Sequence, residues 1–120
     1  MIIDHLGITV SDFERSKKFY GDILAPLGIV LIKEEKQWAG FGANNKPEFW
    51  FGEGRIKQYF SHVTFAAKTE KEVDDFYTAA IKAGALCNGK PKHRSNYYPQ
   101  HYGAFIIDLD GHYIGAVLHV

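Results

Sequence analysis

The sequence predicts an α+β domain made of two copies of a strand–helix–three-strand unit. Three observations predict it. Two stretches carry apolar residues at helical spacing behind good N-terminal caps. β-rich runs lie before and after each of them. A histidine and a Phe-Tyr pair recur at one shared offset, as His5 with His62 and Phe19-Tyr20 with Phe76-Tyr77.

Ile2 to Val10 reads as a strand that ends at Ser11-Asp12. Both are good helix caps, and Ser11-x-x-Glu14 fits a capping box. Phe13, Ser16, Tyr20, Ile23, Leu24 and Leu27 follow at helical spacing, with Phe19 widening the apolar face. Pro26 and Gly28 stop this helix. Gly28 to Lys33, Gln37 to Gly42 and Pro47 to Gly52 read as strands, with a turn at Asn44-Asn45-Lys46. Gly54 to Tyr59 is polar and is the expected hinge between halves.

The order then repeats. His62 to Ala67 is a strand, and Thr69-x-x-Glu72 is a second capping box. Val73, Phe76, Tyr77, Ala80 and Ile81 form one apolar helix face, ended by Gly84. Ala85 to Cys87 begins a strand, and Lys90 to Gln100 reads as a polar, aromatic loop. Tyr102 to Asp108 and His112 to His119 are strands joined by a turn at Asp110-Gly111. A strand followed by a crossover helix favours parallel pairing within each unit.

The bulk numbers bound the function. A chain of 120 residues fits one domain over 1–120, with the repeat at 1–53 and 60–120. Nine Phe, seven Tyr and two Trp suit strands and pocket walls. With 14 basic against 14 acidic residues, nothing attracts a polyanion, so no nucleic-acid partner is expected. Cys87 is the one cysteine, which suits a reducing cytoplasm, and in Ala85-Leu86-Cys87 it reads as a small buried hydrophobe. No signal peptide is expected at the N-terminus. No run approaches the ~18 apolar residues of a membrane span, so no membrane partner is expected either.

The stretch Asp4-His5-Leu6-Gly7-Ile8-Thr9-Val10-Ser11-Asp12-Phe13-Glu14-Arg15-Ser16-Lys17-Lys18-Phe19-Tyr20 resembles the opening of glyoxalase/bleomycin resistance/dioxygenase (vicinal oxygen chelate) proteins. Ser61-His62-Val63-Thr64-Phe65-Ala66 resembles the start of their second unit, and Tyr98 to Ile114 resembles their closing hairpin. The resemblance covers essentially the whole chain. It implies two βαβββ units whose strands form a curved mixed sheet around a cleft, with helices outside, and a homodimer.

The resemblance also implies a divalent ion (Zn, Ni, Mn or Fe) held by inward residues from the first and last strands of each unit. His5 and His62 match two ligand positions and are expected to face one cleft. The family's closing strand reads Asp-Gly-His-x-Ile-Glu, with Glu as ligand; here it reads Asp110-Gly111-His112-Tyr113-Ile114-Gly115. Repeat symmetry sets Trp50 at the matching place, so neither remaining position can ligate. Side chains two residues apart on a strand share a face, roughly 6.6 Å apart. By that parity Glu48 shares the face of Trp50 and is the candidate catalytic carboxylate, while Tyr113 shares the face of Gly115. Arg94, Tyr97, Tyr98, His101 and Tyr102 are candidate substrate-binding residues from a loop over the cleft, with Trp50 and Tyr113 as walls. Asp108 and Asp110 read as turn formers, and Trp38, Phe41, Phe49 and Phe51 as core or interface.

Three functions follow from the resemblance. One is a metal-dependent lyase resembling lactoylglutathione lyase (glyoxalase I), with His5 and His62 on the ion. Another is a metal-free small-molecule (drug) binder that uses Trp50, Arg94 and the tyrosines. The last is an extradiol-type dioxygenase, which needs Glu48 to reach both histidines.

Overall fold

The computed structural model describes residues 3–55, 61–94 and 100–119. The first unit runs β1 (Leu6–Val10), α1 (Phe13–Leu24), a 3-10 turn (Ala25–Leu27), β2 (Val30–Glu35), β3 (Trp38–Gly42) and β4 (Phe49–Glu53). The second runs β5 (His62–Ala66), α2 (Glu70–Lys82), β6 (Leu86–Arg94), β7 (His101–Ile107) and β8 (Tyr113–His119). The duplicated βαβββ order is as the sequence predicts. The strands form two four-stranded sheets, ordered β1-β4-β3-β2 and β5-β8-β7-β6, which do not close on one another. In each, the strand before the helix pairs in parallel with the unit's last strand, and the other pairs are antiparallel.

Alternation decides which sheet face is buried. Ile8, Val10, Phe41, Phe49 and Phe51 point to the helices and are almost fully buried, as are Tyr20 and Ile23 of α1 and Val73 and Phe76 of α2. Each such side chain contributes about 1.5–3 kcal/mol by leaving water. The core runs through both units: Tyr20 lies 5.2 Å from Phe49 and 5.3 Å from Phe51, and Phe49 meets Phe65 edge-on at 5.1 Å. The opposite face of each sheet is left open.

Polar bonds tie the closing hairpin of the second unit to the first. Asp108 Oδ1 accepts from the amides of Asp110 (2.9 Å) and His112 (2.8 Å), which shapes the turn as expected. Its other oxygen accepts from the buried Tyr20 hydroxyl. Burial and the Asp108 charge hold that phenol well above its ordinary value. His112 Nδ1 accepts from the Ser61 amide at 2.9 Å, and Nε2 donates to the Thr9 carbonyl at 2.8 Å. That pattern requires the neutral Nε2–H tautomer.

Local expectations are corrected in five places. Asp12, not Ser11, caps α1, accepting from the Arg15 amide at 3.2 Å. Ser11 bonds Asp110 instead, through its amide (3.1 Å) and hydroxyl (2.5 Å). The second cap is Thr69, as predicted, and the Glu72 carboxylate accepts from the Lys68 amide at 2.9 Å. Lys90 to Arg94 belongs to β6 rather than to a loop, because an edge strand tolerates Pro91 and polar side chains where its register shifts. Cys87 is exposed on that same edge strand rather than buried. A hydrogen bond from Tyr77 is the main cause of its lowered thiol pKa. His5 lies just before β1 rather than on it, whereas His62 opens β5. Trp38 is not core, since 47% of it is exposed.

Candidate functional site

The open faces carry the candidate residues, and the two sheets carry them in separate hollows. His5, Gly7, Glu35, Lys36, Trp38 and Trp50 line a hollow of about 640 Å³ on the first sheet. His62, Asn88, Arg94, His101, Phe105, Tyr113 and Ile114 line one of about 510 Å³ on the second. Both volumes suit a small molecule. In place of the single cleft expected to hold both histidines there are two separate hollows.

Register explains each floor. On the first sheet Gly40, Trp50 and Gly7 stand side by side across β3, β4 and β1. On the second Gly89, Phe105 and Gly115 stand side by side across β6, β7 and β8. Gly7 pairs with Trp50 as Thr64 pairs with Gly115, so Trp50 and Gly115 are equivalent in the repeat, as are Gly40 and Phe105. Each unit therefore sets one large ring between two glycines, but on different strands. The Trp50 ring occupies the space above Gly40, and the Phe105 ring that above Gly115 and Gly89, whereas a β-carbon at Gly7 would meet no ring. A β-carbon at Gly40 would lie 2.9 Å from Trp50 Cε2, and one at Gly115 only 2.4 Å from Phe105 Cδ1.

Arg94 caps the second floor. Its guanidinium sits 5.1 Å from the Phe105 ring centre. Its Nη2 donates to the carbonyls of Lys90 (2.9 Å) and Gly103 (3.4 Å), which fixes the fork over the ring. Its Nε is buried with no hydrogen-bond partner among the described residues. His62 meets Tyr113 edge-on at 6.3 Å, and His101 stands at the same distance from Phe105. His101, Gly103 and Phe105 share the open face by alternation.

Other candidates stand elsewhere. Tyr102 points to the opposite face, by the same alternation, and donates to Asp74 of α2 at 2.6 Å. That bond pushes its phenol up to about 12. Glu48 is exposed and does not line the hollow of His5. Tyr97 and Tyr98 lie outside the described residues. His5 Nδ1 is 2.8 Å from Asp4, whose carboxyl is held below its usual range by that bond and by Lys46. Asn88, Phe105 and Trp38 line the hollows although sequence reasoning did not select them. Their signal was the glycines alternating with rings on these strands.

Residues 2–115 match the model of the Glyoxalase/Bleomycin resistance protein/Dioxygenase superfamily. The chain belongs to this superfamily. None of the curated proteins matches it. Among solved superfamily structures, a glyoxalase/bleomycin resistance protein from Albidiferax ferrireducens is 28% identical, with a TM-score of 0.85 over 99% of this chain and 100% of that one. A glyoxalase/bleomycin resistance protein/dioxygenase family enzyme from Burkholderia phytofirmans is 18% identical, with a TM-score of 0.76 over 98% of each chain. A mutant of the fosfomycin resistance protein FosX from Listeria monocytogenes, complexed with Mn(II) and 1S,2S-dihydroxypropylphosphonic acid, is 19% identical, with a TM-score of 0.70 over 99% of this chain and 90% of that one.

The FosX complex holds Mn(II), and a divalent ion here would need a comparable donor set. The donor set here does not fit. His5 and His62 line separate hollows, and the two carboxylate positions hold an indole and a glycine covered by a ring. No group of three or more His, Cys, Asp or Glu side chains able to hold an ion occurs among the described residues. An ion in the second hollow would also face the Arg94 guanidinium. Among the described residues, no helix is long and apolar enough to cross a membrane.

Proposed function

We propose that this superfamily member binds a small anionic molecule in the second hollow without a metal. One observation carries the reading. Where relatives would project a ligand carboxylate, this chain has Gly115 covered by Phe105, and above that ring stands the Arg94 guanidinium. A fixed positive fork in place of a negative group favours an anion over a cation. A guanidinium donates charge-assisted hydrogen bonds to carboxylate and phosphonate oxygens. The phosphonic acid in the FosX complex makes a phosphonate a reasonable probe.

In this reading Arg94 grips the anion. Asn88 and His62 offer hydrogen bonds to it or to a neighbouring group. Tyr113 and Phe105 pack against the apolar remainder of the ligand. His62 then acts as a wall residue rather than a metal ligand. A metal-dependent lyase or dioxygenase reaction would need a donor set that the described residues do not assemble. The homodimer is part of the same proposal: among the described residues β1 and β5 are edge strands of their sheets, and Leu6 of β1 is an exposed apolar residue there.

Titration calorimetry with phenylphosphonate, in the presence of a chelator, tests the binding. Saturable binding is expected, weakened at least about tenfold by Arg94→Ala, since a charge-assisted pair contributes roughly 1.5–3 kcal/mol. Arg94→Lys keeps the charge but loses the fork, and falls between. An unchanged affinity in Arg94→Ala would sink the reading.

A further inference from the structure

We infer that the first hollow is a second, separate binding site, which takes a planar aromatic or heteroaromatic ring on the faces of Trp38 and Trp50.

The argument starts from register. On the open face, Trp38 of β3 stands opposite Gly52 of β4, and Trp50 of β4 stands opposite Gly40 of β3. Each indole therefore faces a glycine across the strand. A β-carbon at Gly52 would lie 2.4, 2.5 and 2.7 Å from three ring atoms of Trp38. Such near-equal distances mean that the face of the indole, not its edge, lies on the backbone. At Gly40 two ring atoms of Trp50 would both lie at 2.9 Å. With one face of each ring set on a glycine, the other face is turned outward.

The two rings thus make a flat apolar floor, and 47% of Trp38 remains exposed. Rings held in this way offer stacking area without having to be ordered on binding. The rim is polar, formed by His5, Glu35 and Lys36. Lys36 and Gln37 form the two-residue tip between β2 and β3, with φ of 45° and 67°. That left-handed tip usually carries Asn-Gly, and here it sets Lys36 beside Trp38 at the mouth of the hollow.

The occupant is chosen by size and charge. The hollow, about 640 Å³, is of small-molecule size. Its surroundings hold the ion pairs Lys33–Glu35 and Lys46–Asp4. A rim rich in Lys and acidic groups is poor material for the centre of a protein interface. A planar ring stacked on two indoles needs no partner for those charges. The site stands independently of the Arg94 hollow, with which it shares no lining residue.

Both tryptophans of the chain are in this floor, so their two indole N–H signals in a nitrogen-15 correlation spectrum report it alone. The probes are 2-naphthol, which is flat, and 1-adamantanol, a cage with the same number of carbons and one hydroxyl. The expected result is saturable movement of both indole signals with 2-naphthol and little with 1-adamantanol. Trp38→Ala should weaken 2-naphthol at least about tenfold, the scale of ring stacking, and Trp38→Phe should restore part of it. Arg94→Ala should leave it unchanged, so loss of phenylphosphonate binding and loss of 2-naphthol binding are separable. Equal responses to the two alcohols, silent indoles, or unaltered binding in Trp38→Ala would overturn the proposal. So would indole signals that move on dilution without probe, in step with a change of mass, since a second copy would then cover the floor.

Discussion

Phe105 fills the space beside Gly115: a β-carbon on Gly115 would lie 2.4 Å from its Cδ1 and 2.6 Å from its Cε1. No side chain fits there unless the ring moves. Gly115→Ala is therefore expected to lower stability by about 1–3 kcal/mol, the ordinary cost of overpacking. The cost should shrink when Phe105 is also replaced by Ala, because the two residues are in contact and their effects couple. Urea unfolding of the two single variants and the double variant measures this. Additive losses would mean that the ring does not occupy the glycine's space. Gly115→Glu, which restores the family's carboxylate, should pay the same steric penalty and gain no metal affinity.

His112 joins the two units through Nε2, which donates to the Thr9 carbonyl, while its Nδ1 accepts from the Ser61 amide of its own unit. His112→Ala leaves a donor and an acceptor without partners in a place where His112 is only 3% exposed. A loss on the order of 2 kcal/mol or more is expected. Hydrogen exchange should show loss of protection at the Ser61 amide beyond what global destabilisation explains. An unchanged Ser61 amide would contradict this role.

Tyr102 should titrate near 12 rather than near 10.0, because its hydrogen bond to Asp74 favours the protonated phenol. A raised folded-state pKa adds stability in full below the unfolded value of 10.0. That contribution fades as pH rises from there through about 12. Tyrosinate absorbance during an alkaline titration, compared with Asp74→Asn, measures it. The variant should bring one tyrosine back toward its ordinary value. No difference between the two curves would refute the assignment.

Much of this fold is legible from pattern alone. Helix faces follow from apolar spacing, and Thr69-x-x-Glu72 places the start of α2 within a residue. The substitutions at Trp50 and Gly115 are also plain once the repeat is aligned. What one sequence does not carry is register. Gly40 lies under Trp50, and Gly115 under Phe105, only because particular residues pair across strands. Arg94 reads as a loop residue because β6 is polar and holds Pro91, which hides its seat over Phe105. Ser11 bonds a residue from the far end of the chain, Asp110, where local pattern suggested a cap. Tyr102 turns to Asp74 because it alternates along β7 with His101 and Gly103, which share the open face.

Phenylphosphonate affinity measured twice, once in a chelator and once in excess Mn(II), addresses metal-free anion binding by Arg94 most directly. Equal affinities are expected under the two conditions, each lost on Arg94→Ala. Binding that appears only with Mn(II) and survives Arg94→Ala would contradict it.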